Sequence, residues 1–172
     1  RLKKTTGVHI CVDTGMGRIG PFYTEAVPFI LRMSKLKNVT LNGLYSHFAT
    51  ADQAQNSFVK EQLKRFKSVV YSLKEAGIEI PRLHIANSGA ILNYPGSYFN
   101  LVRPGLLIYG IYPCKSRKGF PALDSVLSFK TKVAYKYSVD RGFSVGYGKS
   151  YVTSKATDIL TLPVGYADGF TR

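Results

Sequence analysis

Along the first two thirds of the chain the hydrophobic positions switch between two spacings, one suited to strands and one to helices. Val8-His9-Ile10-Cys11-Val12 is short, apolar and β-branched, and it stops at the turn cluster Asp13-Thr14-Gly15. Thr24 then reads as the cap of a helix with Glu25 in its first turn, and Pro28 lies near enough to that turn for its missing N–H to cost little. Val27, Ile30, Leu31 and Ser34 continue one face, Asn38 breaks the helix, and Val39 to Tyr45 reads as the next strand. The most regular pattern runs from Ser57 to Ala76, where Val59, Leu63, Phe66, Val70 and Leu73 form one buried stripe and Gly77 ends it. Arg82 to Ala86 reads as a strand, Asn87 to Leu92 as a short helical turn, and Leu106 to Ile111 as a further strand.

Strands alternating with helices predict an α/β fold with a parallel sheet, open or closed into a barrel. Near Pro121 the texture changes. From Val126 onward β-branched and aromatic residues dominate, in Lys130 to Tyr135, Tyr151 to Thr153 and Ile159 to Val164, with no helical spacing. The expected division is therefore residues 1–121 as an α/β portion and 122–172 as an all-β portion. The final Gly165-Tyr166-Ala167-Asp168-Gly169 reads as a turn.

Composition narrows the classes. A chain of 172 residues, 45% hydrophobic and 20% charged, can bury a core without a disulfide or metal, and these ordinary globular values argue against disorder. No apolar run approaches the roughly 20 residues that span a bilayer, and Gly7 to Cys11 is too short for a signal peptide. Two cysteines, Cys11 and Cys114, argue against a disulfide framework and for a reducing, cytoplasmic setting. Lys and Arg number 24 against 10 Asp and Glu, a net charge of +14 that raises nucleic acid as a partner. The cations are spread, however, as in Lys60, Lys64, Lys67 and Lys74, and the densest clusters, Arg1 to Lys4 and Lys115 to Lys118, are short. A Lys-rich solvated surface, with neither nucleic acid nor membrane as partner, is the better reading.

In α/β folds the reactive groups collect after the C-terminal ends of strands. The first strand is followed by Asp13-Thr14-Gly15-Met16-Gly17-Arg18-Ile19-Gly20, where glycines let backbone approach a ligand and Arg18 suits a carboxylate or phosphate. A plain βα turn with a surface arginine explains this segment equally well. The second strand leads to Ser46-His47-Phe48-Ala49-Thr50-Ala51-Asp52, and a lone histidine such as His47 is more often a hydrogen-bonded core residue than a catalyst. After the third, His84-Ile85-Ala86-Asn87-Ser88-Gly89 sets Ser88 at a helix start, either an anion site or an ordinary cap. Val102-Arg103-Pro104-Gly105-Leu106 pairs an arginine with a turn whose N–H groups can meet a second anionic oxygen. In the β portion, Tyr147 and Tyr166 stand beside glycines, placed for proton transfer or simply as rim aromatics. Together these segments describe a phosphate-bearing ligand, a carboxylate-bearing substrate and a proton-transfer group.

In the same order, Val12 to Gly20, Ser46 to Asp52, His84 to Ser88, Val102 to Tyr109, Val145 to Gly148 and Pro163 to Arg172 resemble the alanine racemases, pyridoxal 5'-phosphate enzymes. The resemblance implies the later part of a (β/α)8 barrel followed by the start of a C-terminal β domain. It implies that Asn87, Ser88 and the N–H groups of Gly105 and Leu106 belong to the cofactor site, and that Arg103 faces the pyridine nitrogen. His47 would lie against the cofactor ring. His84 would support Arg103 in a hydrogen-bond chain reaching Tyr147. Arg18 would sit beside cofactor and substrate carboxylate, Tyr166 would guard substrate entry, and Tyr147 would act as one of two bases on the partner subunit's site in a homodimer. The implied reaction interconverts L- and D-alanine, supplying D-alanine for the cell wall.

Two departures qualify that implication. The family's Schiff-base lysine belongs to the first barrel strand, and none of the lysines here sits in that motif, so the chain reads as an internal-to-C-terminal piece expected to be inactive alone. Cys11 occupies the position where the family usually has a lysine that, carbamylated, orients the arginine at Arg18; a thiol cannot take that role. The rival readings are a racemase of broader substrate range and a catalytically silent protein of the same fold.

Overall fold

The computed structural model describes residues 4–114 and 119–170. Of the two basic clusters singled out above, Lys115 to Lys118 and all of Arg1 to Lys4 except Lys4 lie outside them. Contacts divide the chain into two compact units, Arg1–Val126 and Leu127–Arg172, a boundary a few residues beyond Pro121.

In the first unit, β1 (Thr6–Cys11), β2 (Val39–Tyr45) and β3 (Arg82–His84) pair in parallel in that order. Strand alternation sends successive side chains to opposite faces. One face carries Ile10 and Leu44, joined beyond the strand ends by Val12 and Ile85. These pack with α1 (Ala26–Met33) and α2 (Ser57–Glu75) into a single apolar core with Phe48, Phe66 and Leu73. The other face carries His9, Cys11, Tyr45 and His84. The register sets Cys11 beside Tyr45 and Tyr45 beside His84, one row across the sheet, with His9 and Gly43 paired in the row below.

Several elements differ from their sequence patterns. Helix α1 starts at Ala26 with Glu25 as an N-cap that makes no side-chain bond, so Thr24 is not its cap, and it ends at Met33 with Ser34 as C-cap. The buried stripe of α2 is Val59, Gln62, Phe66, Val69 and Leu73; Leu63 and Val70 flank it. The expected strand from Leu106 to Ile111 is instead a one-turn helix, α4 (Gly105–Ile108). An unbroken apolar run has no period of its own, and here the turn decides. Leu107 N–H bonds to Pro104 O at 2.7 Å, and Gly105 takes φ of +22°, a value side chains resist. Before it come α3 (Ser88–Asn93) and a 3-10 turn at Pro95–Ser97.

The second unit has β-strands and short 3-10 turns but no α-helix among its described residues. β4 (Tyr135–Val139) pairs antiparallel with β7 (Thr157–Thr161), and β5 (Ser144–Val145) with β6 (Tyr151–Val152). Pairing begins only at Tyr135 and stops at Thr161, so Lys130 to Ala134 and Leu162 to Val164 are not strand. Thr153, buried at the hairpin base, donates its hydroxyl to Asp140 O at 2.7 Å and accepts Phe143 N–H at 2.9 Å.

Gln62 is the polar exception within the α2 stripe, and it ties the loops after β1 and β2 together. Fully buried, it accepts from Ala49 N–H at 3.0 Å and donates to His47 O at 3.0 Å and Thr14 Oγ1 at 3.3 Å. Thr14 Oγ1 in turn meets Ser46 Oγ at 2.7 Å. An apolar residue there leaves Ala49 N–H and His47 O buried and unsatisfied, at about 1–3 kcal/mol each, which outweighs the gain from a buried Leu. Gln62→Leu is therefore expected to lower the urea midpoint, costing about 2 kcal/mol, whereas Gln62→Glu at low pH retains part of the network.

Candidate active site

The loop after β1 folds around one carboxylate. Asp13 Oδ1 accepts the N–H groups of Gly15 at 2.8 Å and Met16 at 2.9 Å. Burial would raise this carboxyl, but the N–H groups of Gly15, Gly17, Met16 and Arg18 outweigh it and hold the group below its ordinary value. Helix α2 clamps the same loop, since Arg65 Nη1 donates to Thr14 O at 2.8 Å while its guanidinium lies 4.8 Å from the Tyr23 ring. Arg18 leaves this loop exposed to solvent, and its charge is felt by Cys11, Tyr45 and His47.

Arg103 is the centre of the site. Its backbone N–H bonds to Ala86 O at 3.0 Å, fixing the loop to the end of β3. Nη2 donates to Ser46 O at 2.7 Å and approaches Ile85 O and His47 Nδ1, each at 3.5 Å. Nη1 donates to His84 Nδ1 at 2.5 Å and faces His84 O at 3.3 Å. The guanidinium carbon also lies 5.3 Å from the Tyr45 ring, which stacks on His84 at 5.2 Å. Ion pairs among the described residues are Arg65–Glu61 and Lys136–Asp158, so this half-buried cation is held by carbonyls, imidazoles and a ring face.

The neighbouring groups are neutral. Burial, then the charge of Arg103, lowers His47 below an ordinary imidazole. Burial, Arg103 and His9 together bring His84 down to about 4. Burial likewise pushes the Cys11 thiol up, against the hydrogen bond it shares with Tyr45, so position 11 offers no anion to Arg18.

His47, Asn87, Ser88, Arg103, Gly105 and Leu106 line one cleft of about 340 Å³. Asn87, not Ser88, caps α3, its Oδ1 accepting Ala90 N–H at 3.1 Å; its amide nitrogen lies 3.2 Å from Phe48 O and 3.4 Å from His47 Nε2. Ser88 Oγ is free of capping duty. It donates to Pro104 O and receives Leu107 N–H at 3.4 Å. The N–H groups of Gly105 and Leu106 open α4, where a helix has no internal acceptors to offer. The cleft thus presents a hydroxyl, two opening N–H groups and a guanidinium.

Tyr147 and Tyr166 belong to the second unit. Tyr147 opens a 3-10 turn between two glycines and is 92% exposed. Tyr166, 72% exposed, opens another, closed by Gly165 N–H donating to Asp168 Oδ2 at 2.9 Å. Within the first unit, the hydrogen-bond chain from Arg103 passes through His84. The second ring nitrogen of His84, Nε2, lies 2.8 Å from His9 Nδ1, so the chain runs back into β1. Neither His9 nor Tyr45 was singled out by their strand patterns, although period-2 alternation places both on the face of Cys11. Gln62 was legible as a polar residue at a core spacing.

A parallel α/β barrel portion with its polar groups at the strand ends, followed by a β unit, defines a barrel-plus-β enzyme architecture. Residues 1–113 match the family model described as alanine racemase, N-terminal domain, and residues 126–172 the model for its C-terminal domain. The chain belongs to the alanine racemase family. It is 47% identical to the alanine racemase of Carboxydothermus hydrogenoformans over all of its own length and 47% of that protein's. It is 39% identical to that of Methanococcus maripaludis, covering 47% of it. The solved alanine racemase of Clostridium difficile superposes with TM-score 0.86 at 37% identity, over 98% of this chain and 45% of that one. The Bacillus anthracis alanine racemase with bound L-Ala-P gives 0.79 at 38%, over 96% and 44%. The chain spans about half the length of the curated relatives it matches.

A folded state that keeps His84 deprotonated binds fewer protons than the unfolded chain between pH 6.5 and about 4. Stability is therefore full above pH 6.5 and is lost as pH falls through that window, with His47 acting in the same direction. Urea unfolding at pH 7 and pH 4.5 checks this, and His84→Gln is expected to flatten the difference.

Proposed function

We propose that this chain carries the cofactor-binding strand ends and the beginning of the β domain of a pyridoxal 5'-phosphate-dependent alanine racemase. The family implies that cofactor, and the residues present suit it. The observation that carries the reading is the donor set of the cleft: the first N–H groups of α4 suit a phosphate, as does the Ser88 hydroxyl once it turns from Pro104 O, and Arg103 lies beside them. Both terminal nitrogens of Arg103 are engaged by neutral acceptors, which leaves its Nε–H to donate to a ring nitrogen. A guanidinium does not surrender its proton, so a nitrogen meeting it stays unprotonated.

Pyridoxal phosphate, when bound, supplies a conjugated ring that stabilises negative charge at the amino-acid Cα. The chain's own residues supply the rest. Ser88, Gly105 and Leu106 hold the phosphate, while His47 and Asn87 wall the cleft. Arg18 binds the substrate carboxylate. Tyr147 Oη moves the Cα proton on one face, acting on the partner subunit's site in a homodimer, and Tyr166 lies at substrate entry. The substrates are L- and D-alanine, and the product D-alanine feeds cell-wall synthesis in the cytoplasm. No described helix is long and apolar enough to cross a membrane.

The test is cofactor binding, read by pyridoxal phosphate absorbance and fluorescence. Losing one charge-assisted hydrogen bond costs about 1.5 kcal/mol, so Ser88→Ala is expected to weaken binding about tenfold. In a full-length enzyme that supplies the Schiff-base lysine, Arg103→Lys, which replaces a planar fork by a point charge, is expected to lower L-alanine racemisation about 100-fold. A protein that binds no pyridoxal phosphate, or that prefers a bulkier amino acid to alanine, overturns the reading.

A further inference from the structure

His9 stands two strands away from His84, with β2 between them. Neighbouring strands lie roughly 4.8 Å apart, so their backbones are about 10 Å from each other. Its imidazole nonetheless comes to 2.8 Å of His84 Nε2, with ring centroids 5.0 Å apart. Two features of β2 make this possible. The partner of His9 is Gly43, and the register slips between Val8 and His9, so that Asn42 is an extra residue in β2. A Cβ built on Gly43 would fall 2.2 Å from His9 Nδ1. That is the atom facing His84. The glycine is therefore the opening through which His9 crosses the middle strand.

The hydrogens on this chain are forced. Guanidinium nitrogens only donate, so His84 Nδ1, receiving Arg103 Nη1 at 2.5 Å, must present a lone pair. A neutral imidazole with a bare Nδ1 carries its proton on Nε2. That proton points at His9 Nδ1, which must accept it, so His9 is protonated on Nε2. Protonating either ring places two donors face to face. The groups around His84 agree: His9 and Cys11 on β1, Tyr45 on β2 and Arg103 below supply no carboxylate to favour an imidazolium, and His84 is held near 4.

We propose that His9, reaching over Gly43, is a positioning residue that locks His84 in its Nε2–H tautomer and so keeps an acceptor aimed at Arg103. Without it, the Nδ1–H tautomer becomes accessible and turns a donor toward the guanidinium. Arg103 then loses one of its two firm side-chain anchors. The catalytic meaning of that anchor rests on the function proposed above; the tautomer does not.

The experiment reads the tautomer directly, by two-bond proton–nitrogen NMR of ¹⁵N-histidine-labelled protein without added cofactor. Only three histidines, His9, His47 and His84, need assignment. In the parent protein His84 is expected with a protonated Nε2 and a bare Nδ1. His9→Leu and Gly43→Ala are both expected to give a mixture of tautomers, and His9→Gln, whose carbonyl can accept, to restore the single one. In a cofactor-loaded full-length enzyme that supplies the Schiff-base lysine, His9→Leu is expected to lower kcat roughly tenfold, as loss of an outer partner of a functional histidine does, with KM for alanine little changed and recovery in His9→Gln. A proton on Nδ1 of His84 in the parent, or a tautomer unchanged in both His9→Leu and Gly43→Ala, overturns the proposal. Failure to bind pyridoxal phosphate would sink the functional reading while leaving the tautomer result standing.

Discussion

A half-buried guanidinium with no carboxylate partner governs the first unit. Removing a cation from water without a counter-ion is expensive unless every donor meets an acceptor. Arg103 meets this condition with Ser46 O, His84 O and Ile85 O, all freed where β2 and β3 end, and with two imidazoles. Those acceptors act only if the strands stop in step and the imidazoles stay neutral. Arg103 bears on both requirements, since its backbone N–H fastens the loop to Ala86 and its charge opposes protonation of His47 and His84.

Stopping in step is the work of the loops. Asp13 gathers the N–H groups of the first loop, Arg65 clamps it to α2, and Gln62 joins it to the loop that carries His47. Each is a buried or half-buried polar group with nearly all its bonds made, and such groups are costly to break and strict about geometry. The helices therefore serve the site through polar side chains as much as through their apolar stripes. Arg103 can find its acceptors aligned because α2 has already aligned their loops.

The alternation of strands and helices was legible because each element has one buried face, and burial writes a period into the sequence. Val39 to Tyr45 and Ser57 to Glu75 follow that logic closely. Leu106 to Ile111 did not, because consecutive apolar residues carry no period and a Pro-Gly turn determined their conformation. The strand-end residues His47, Ser88 and Arg103 were legible as chemistry that an α/β topology brings together. His9 was not. Its role depends on a slipped register and on a missing side chain in the neighbouring strand, and neither is a property of the segment that contains it.

The same constraint bears on the charge of the site. Arg103 and Arg18 both act on His47, Cys11 and Tyr45, while neither takes part in an ion pair among the described residues. Asp13, the acid closest in sequence, is consumed by its own loop. Cys11 adds no negative charge, since burial keeps its thiol protonated. The strand ends are thus left electropositive, and the excess is local: Arg18 and Arg103 are two of the 24 Lys and Arg residues behind the +14, and they act together at one site. An electropositive cleft walled by neutral acceptors favours a ligand that brings its own anions. A phosphate at Ser88 and a carboxylate at Arg18 would complete the charge balance that the protein leaves open.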